Sequence, residues 1–217
     1  MTDLPVAPKR WRDVLDTALE HGAHAWNALL MLDLGSGLGG ASQAMRERNW
    51  RVVMVDIDPR LSPDVIADLR QWSWRGERPD LVWCSPPCDE FARESMPWCA
   101  TGQTPNLAIV NACRRIIAEC EPRYWIIENV KGAQRWLGQA VTHVGPFYLW
   151  GHFPPLGQPR LNMRKKENYS SNAPEKRARI PLALSLAVAW AIEEQLELPL
   201  DHLEPTGAKS TPEIQLV

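Results

Sequence analysis

The feature that most constrains this chain is an apolar run, Leu30-Met31-Leu32-Asp33-Leu34, that passes straight into Gly35-Ser36-Gly37-Leu38-Gly39-Gly40 and then into a helix expected over about residues 41–48. A strand feeding a helix through a glycine turn belongs to a crossover unit, and crossover units build parallel sheets. The rest of the first two thirds repeats the theme. Residues 51–55 read as a β-branched strand ending at Asp56, and 65–67 as a short strand ending at Asp68. Residues 81–84 read as a strand stopped by Ser85-Pro86-Pro87. A helical period runs over 107–120, and a fifth strand over 124–127 ends at Glu128. Strands alternating with helices predict an α/β fold, a mostly parallel sheet with helices on both faces. In such sheets ligands bind beyond the carboxyl ends of the strands. Asp33, Asp56, Asp68, Ser85, Cys88 and Glu128 all fall at or just past such ends, so one clustered site is expected.

The glycine turn lets backbone approach a ligand closely. Alone it would suit a dinucleotide, a nucleotide or merely a tight turn. No lysine of the triphosphate-binding kind follows it, and nothing downstream supports hydride chemistry. Asp56 is placed to accept hydrogen bonds from ribose hydroxyls, and Asp68 from an adenine amino group. Cys88 follows a Pro-Pro turn that presents it at the sheet edge, whereas most lone cysteines are inert small hydrophobes. Glu128, if buried, would carry a raised pKa and serve as an acid; otherwise it is a satisfied structural glutamate. A zinc site from Cys84, Cys88 and Cys99 with His143 or His152 lacks a Cys-x-x-Cys pair, so no metal is expected.

The chain has 217 residues, 45% hydrophobic and 23% charged, which suits one globular domain. That domain is expected over 1–197, with a helix over 13–29, a loop-rich insert over about 131–179 that could include a hairpin, and a mobile tail over 198–217. A closing helix over 180–196 opens at Pro181. The five cysteines are odd in number and no apolar leader is visible, which points to a reducing cytoplasm. The net charge of −2 gives no global signal for nucleic acid, so contact would come from a local patch. The best candidate is Arg160, Arg164, Lys165 and Lys166, followed by Lys176, Arg177 and Arg179; the plain alternative is a solvated loop. Of the 11 tryptophans, Trp72 and Trp74 are expected to pack in the core or near an adenine, and Trp125 and Trp190 in the core.

The order glycine turn, acid after the second strand, acid after the third, Pro87-Cys88 with Phe91, then Glu128-Asn129-Val130 resembles the cytosine-5 DNA methyltransferase family, in its compact, phage-type form. The resemblance covers about residues 30–130. It implies the class I methyltransferase (Rossmann-like) fold and S-adenosylmethionine as cofactor. The cofactor would be held by Asp33, Gly35, Gly37, Gly39, Asp56, Asp68, Ser85 and Pro86. It implies DNA as partner, Cys88 as nucleophile, Glu128 as acid and Asn129 as the residue holding the Cys88 loop. Such chemistry needs these types. Carbon 5 of cytosine becomes nucleophilic only after a thiolate adds to carbon 6, and a protonated carboxyl at nitrogen 3 stabilises that addition. A base inside duplex DNA must first be flipped out, and residues 93–104 are the loop expected to close over it.

Four positions depart from the family. Gly35 stands where an aromatic residue is usual, and Asp89 where glutamine usually follows the nucleophile. The arginine element is only partly matched by Gln158-Pro159-Arg160-Leu161-Asn162; Arg160 is the match for the base-contacting arginine, with Arg164 its rival. No sizeable target-recognition domain fits between 131 and 179. Two enzymatic alternatives stay open: the same chemistry on RNA or a free cytosine nucleotide, and an exocyclic-amino methyltransferase suggested by Ser85-Pro86-Pro87. A cofactor-binding module without catalysis is the non-enzymatic alternative.

Overall fold

The computed structural model describes residues 29–92, 104–157, 159 and 179–197. Its strands are β1 (Leu30–Leu34), β2 (Arg51–Asp56), β3 (Val65–Ile66), β4 (Leu81–Cys84), β5 (Tyr124–Asn129), β6 (Thr142–Val144) and β7 (Phe147–His152). The α-helices are α1 (Gln43–Glu47), α2 (Asp89–Ala92), α3 (Ala108–Cys120), α4 (Gln134–Leu137) and α5 (Leu182–Glu197). One seven-stranded sheet runs β3-β2-β1-β4-β5-β7-β6. The first five strands are parallel, and β7 lies antiparallel to β5 and to β6. This is the class I methyltransferase arrangement that the resemblance implies.

Alternation along the strands divides the core in two. Leu30, Leu32 and Leu34 of β1 pack with Val82, Cys84 and Ile127 against Val110, Cys113, Ile116 and Ile117 of α3. Met31, Trp83 and Ile126 point the other way, onto Ala44 and Met45 of α1 and Leu184, Val188 and Ile192 of α5. Helix α3 buries residues at i, i+3, i+4 and i+7 spacing, the stripe an amphipathic helix needs. It stops where Glu121 turns left-handed and its N–H bonds Ile117 O. Leu184 and Ser185 N–H groups donate to Pro181 O, so the expected proline start of the closing helix is what forms.

Two sequence expectations change. The stretch 142–152, expected as loops that could include a hairpin within the insert, forms a hairpin that joins the main sheet. Its β7 pairs with β5 from Trp125↔His152 to Asn129↔Tyr148. Trp190, expected in the core, is 51% exposed on α5, whereas Trp72, Trp74 and Trp125 pack against the α3-side core. The expected helix over 13–29, apart from Leu29, lies outside the described residues. So do Cys99, Arg160, Arg164, Lys165, Lys166, Lys176, Arg177 and the tail from 198. No helix among the described residues is long and apolar enough to cross a membrane.

Candidate active site

The sheet reverses its winding between β1 and β4, and the expected residues gather there, beyond the strand ends. The glycine turn closes onto β2: Gly35 and Ser36 N–H groups donate to Val55 O at 2.9 and 3.2 Å. Gly35 has φ 68°, and a methyl group on it would fall 2.8 Å from Ser85 O. That carbonyl belongs to the turn after β4, so two loops meet backbone to backbone where only glycine fits. The usual aromatic residue has no room here. Gly37 and Gly39 also have positive φ, and Arg46 donates to Gly39 O at 3.0 Å.

Asp56 is held by two backbone donors. Gly37 N–H bonds its Oδ2 and Asp58 N–H its Oδ1, both at 2.9 Å. The Arg70 guanidinium pairs with Asp68 and holds its pKa below the ordinary value. Both acids line a cavity of about 180 Å³ with Gly35, Ile57, Leu69, Arg70, Ser85, Pro87 and Ile109 among its walls. Asp33, Gly37, Gly39 and Pro86 do not line it. Ile57, 63% exposed beside Asp56, is a wall the sequence reading missed. An exposed isoleucine directly after a strand-end acid was its only signal. Ile109 reaches the cavity from α3, and only packing reveals it.

Asp33 lies beneath the turn, fully buried; Ser42 is close enough to pull on it, yet neither carboxylate oxygen meets a donor in good hydrogen-bond geometry. The Ser36 hydroxyl is likewise buried and unsatisfied. Burial pushes the Asp33 pKa up to about 7, against the pull of Ser42 and Arg46. Unpartnered buried polar groups are costly and rare in native proteins.

The other cluster sits at the ends of β4 and β5. Asn129 is fully buried; its Nδ2 donates to Pro86 O at 3.0 Å, and its Oδ1 accepts from Val130 N–H at 2.9 Å. One side chain thus ties the Pro86-Pro87-Cys88 turn to the end of β5. Cys88 is half-buried and outside any disulfide. Its carbonyl accepts from Phe91 and Ala92 N–H groups at 3.1 and 2.9 Å, which starts α2. Desolvation pushes Glu128 up to about 8, opposed by the Ser85 hydroxyl. Trp83 Nε1–H donates to Ser85 Oγ at 2.8 Å, leaving the Ser85 hydrogen for Glu128. Ser85 therefore joins the cavity to the acid. Cys84, by contrast, is wholly buried among Cys113 and Cys120, and burial raises its thiol pKa. It is a core side chain. The structure thus brings Asp56, Asp68, Ser85 and Gly35 to one cavity and Cys88, Glu128 and Asn129 to the adjoining strand ends.

No family model matches the chain. Among solved structures, similarity is seen to a "putative DNA modification methyltransferase" encoded within an E. coli prophage, with 20% identity, 51% of this chain and 34% of that one covered, and a TM-score of 0.39. The PH0226 protein from Pyrococcus horikoshii OT3 gives 16% identity over 65% of this chain and 68% of that one, with a TM-score of 0.31. Over 115 residues the chain is 29% identical to a "Probable DNA (cytosine-5)-methyltransferase" of Frog virus 3 (isolate Goorha), covering 46% of this chain. The chain spans about half (52%) of the length of that relative.

Proposed function

We propose that the chain is an S-adenosylmethionine-dependent methyltransferase that methylates carbon 5 of cytosine in DNA, with Cys88 as covalent nucleophile. The observation that carries this reading is the bond from Asn129 to Pro86 O, which ties the Cys88 turn to the strand end where burial raises the Glu128 pKa to about 8. The similarity over 115 residues to the frog-virus protein supports the same reading.

The residues fit the cofactor. An unpartnered buried carboxylate (Asp33) and an unsatisfied hydroxyl (Ser36) lie at a glycine turn, and two further acids line a cavity beside it. Asp56 would take the ribose hydroxyls, Ile57 and Ile109 the apolar faces of the adenine, and Asp68, shared with Arg70, the adenine edge. Bound there, S-adenosylmethionine supplies an electrophilic methyl group. The Cys88 thiolate adds to carbon 6 of the cytosine. As it does, Glu128 protonates nitrogen 3 and drains the negative charge into its own carboxylate. Carbon 5 would then take the methyl group, releasing S-adenosylhomocysteine; loss of the carbon 5 proton to a base would break the carbon 6–sulfur bond, Cys88 would leave as thiolate, and nitrogen 3 would return its proton to Glu128. Arg160 is the arginine we assign to the base, with Arg164 as alternative.

Trapping on duplex DNA containing 5-fluorocytosine, with S-adenosylmethionine, tests the reading, because fluorine blocks the final elimination. A covalent adduct on wild type and none on Cys88→Ala is expected. If wild type binds the cofactor but gives no adduct on DNA, the DNA reading is wrong. The same probe in RNA or as a free nucleotide then decides the alternative favoured by the net charge of −2.

A further inference from the structure

The short helix that follows Cys88 is gripped from a second side. Directly after Glu128-Asn129-Val130, residues Lys131–Ala133 form a single 3-10 turn, closed by Ala133 N–H to Val130 O at 3.0 Å and anchored by buried Ala133. In this turn Gly132 lies against the backbone of α2. A methyl group on Gly132 would fall 2.2 Å from Phe91 O and 3.3 Å from Phe91 C, well inside van der Waals contact. Gly132 is not one of the glycines with left-handed backbone, so space, not conformation, demands glycine. Its neighbour is a backbone carbonyl, which has no rotamer to retreat into. The Phe91 ring is itself buried in the core, so α2 cannot simply lift away.

Phe91 and Ala92 N–H groups both bond Cys88 O, so any shift of Phe91 passes directly to Cys88. Asn129 fixes the chain just before Cys88, at Pro86. Gly132 meets it just after, at Phe91. Both grips come from the same strand end that carries Glu128.

We propose that Gly132 is a positioning residue for Cys88: lacking a side chain, it lets α2 settle onto the turn after β5 and so sets the place of the thiol relative to Glu128. This rests on the reading of Cys88 as nucleophile. A misplacement on the order of 1 Å costs about 10²-fold in rate. The full-length Gly132→Ala protein should therefore lose about 10²-fold in kcat while its KM for S-adenosylmethionine stays put. The rate of Cys88 alkylation by iodoacetamide, read by mass spectrometry, should change several-fold. Unchanged kcat and unchanged alkylation would overturn the proposal, as would a loss of kcat that merely tracks lost cofactor binding and a lowered melting temperature. If Gly132→Ala does not fold, Phe91→Ala makes room for α2 to move. Adding Gly132→Ala to that background should then change alkylation and trapping further, and identical rates in the two proteins would overturn the idea. Alkylation needs no nucleic acid, so it judges the positioning even if wild type yields no adduct and the proposed function fails.

Discussion

At the scale of single residues, the two raised carboxyl groups make separable claims. Glu128 rises from an ordinary 4.5 to about 8 because burial disfavours its charge. An acid must hold its proton, so the rate should fall as pH climbs through about 8. Glu128→Gln should lower the rate by about 10²–10⁴-fold, the usual contribution of a general acid, and abolish that alkaline limb. A variant with wild-type rate and profile would remove Glu128 from the chemistry. Asp33 rises from 3.8 to about 7, also through burial. Between those values the folded chain holds a proton that the unfolded chain has lost, so stability falls as pH rises. Urea midpoints of wild type should decline from about pH 4 to 8. Asp33→Asn should remove about half of the slope between about pH 4 and 7, and Glu128→Gln should remove its share from about 4.5 upward and flatten the part between about 7 and 8. A decline untouched by Asp33→Asn would mean that its carboxyl is not the buried acid described. Both positions were legible in the sequence as strand-end acids. What it did not carry was that Asp33 lies buried without a partner while Asp68 has one in Arg70. Pairing depends on which side chains the folded loops bring alongside.

Individual elements were readable where period and punctuation agreed. The strand over 81–84 forms as expected because Leu81-Val82-Trp83-Cys84 is apolar throughout and ends at two prolines. The helix over 107–120 differs by one residue at its start. The hairpin of β6 and β7 was not recognised as part of the sheet because its partner, β5, is a parallel strand some 20 residues earlier, and antiparallel closure leaves no local mark. The link between α1 and α5 is equally invisible in sequence. Ala44 N–H donates to Ser185 Oγ at 3.0 Å, and that hydroxyl donates to Ala41 O at 2.6 Å, all three groups buried. One serine on the closing helix thus ties down the helix that follows the glycine turn. Ser185→Ala strands a buried donor and acceptor, which costs about 1–3 kcal/mol. A lower urea midpoint of that size, with weaker S-adenosylmethionine binding, is expected. An unchanged midpoint would show that α1 is secured by packing alone.

For the whole molecule, the proposed function asks how a chain with a net charge of −2 would hold a polyanion. Long-range attraction from total charge is absent, so on that reading affinity for DNA would come from a few local phosphate contacts. Several described arginines are already committed: Arg48 to Glu193, Arg51 to Glu77, Arg60 to Asp58, Arg70 to Asp68 and Arg115 to Glu119. The densest cationic run in the sequence is instead Arg164-Lys165-Lys166. It follows Arg160 and stands between β7 and α5 in chain order, after the strands that carry the proposed chemistry. Each cation that meets a phosphate releases a counterion, so the logarithm of the binding constant falls with the logarithm of salt by about 0.9 per contact. Replacing Arg164, Lys165 and Lys166 together by glutamine should weaken duplex binding at every sequence tested. It should also flatten the salt slope by about 0.9 for each phosphate contact removed. Binding of S-adenosylmethionine, assigned in the proposed function to the glycine turn and the acids beyond β2 and β3, should stay as in wild type. A triple variant with an unaltered salt slope would return this run to the role of a solvated loop and move the search for the DNA contact to the face around Cys88 itself.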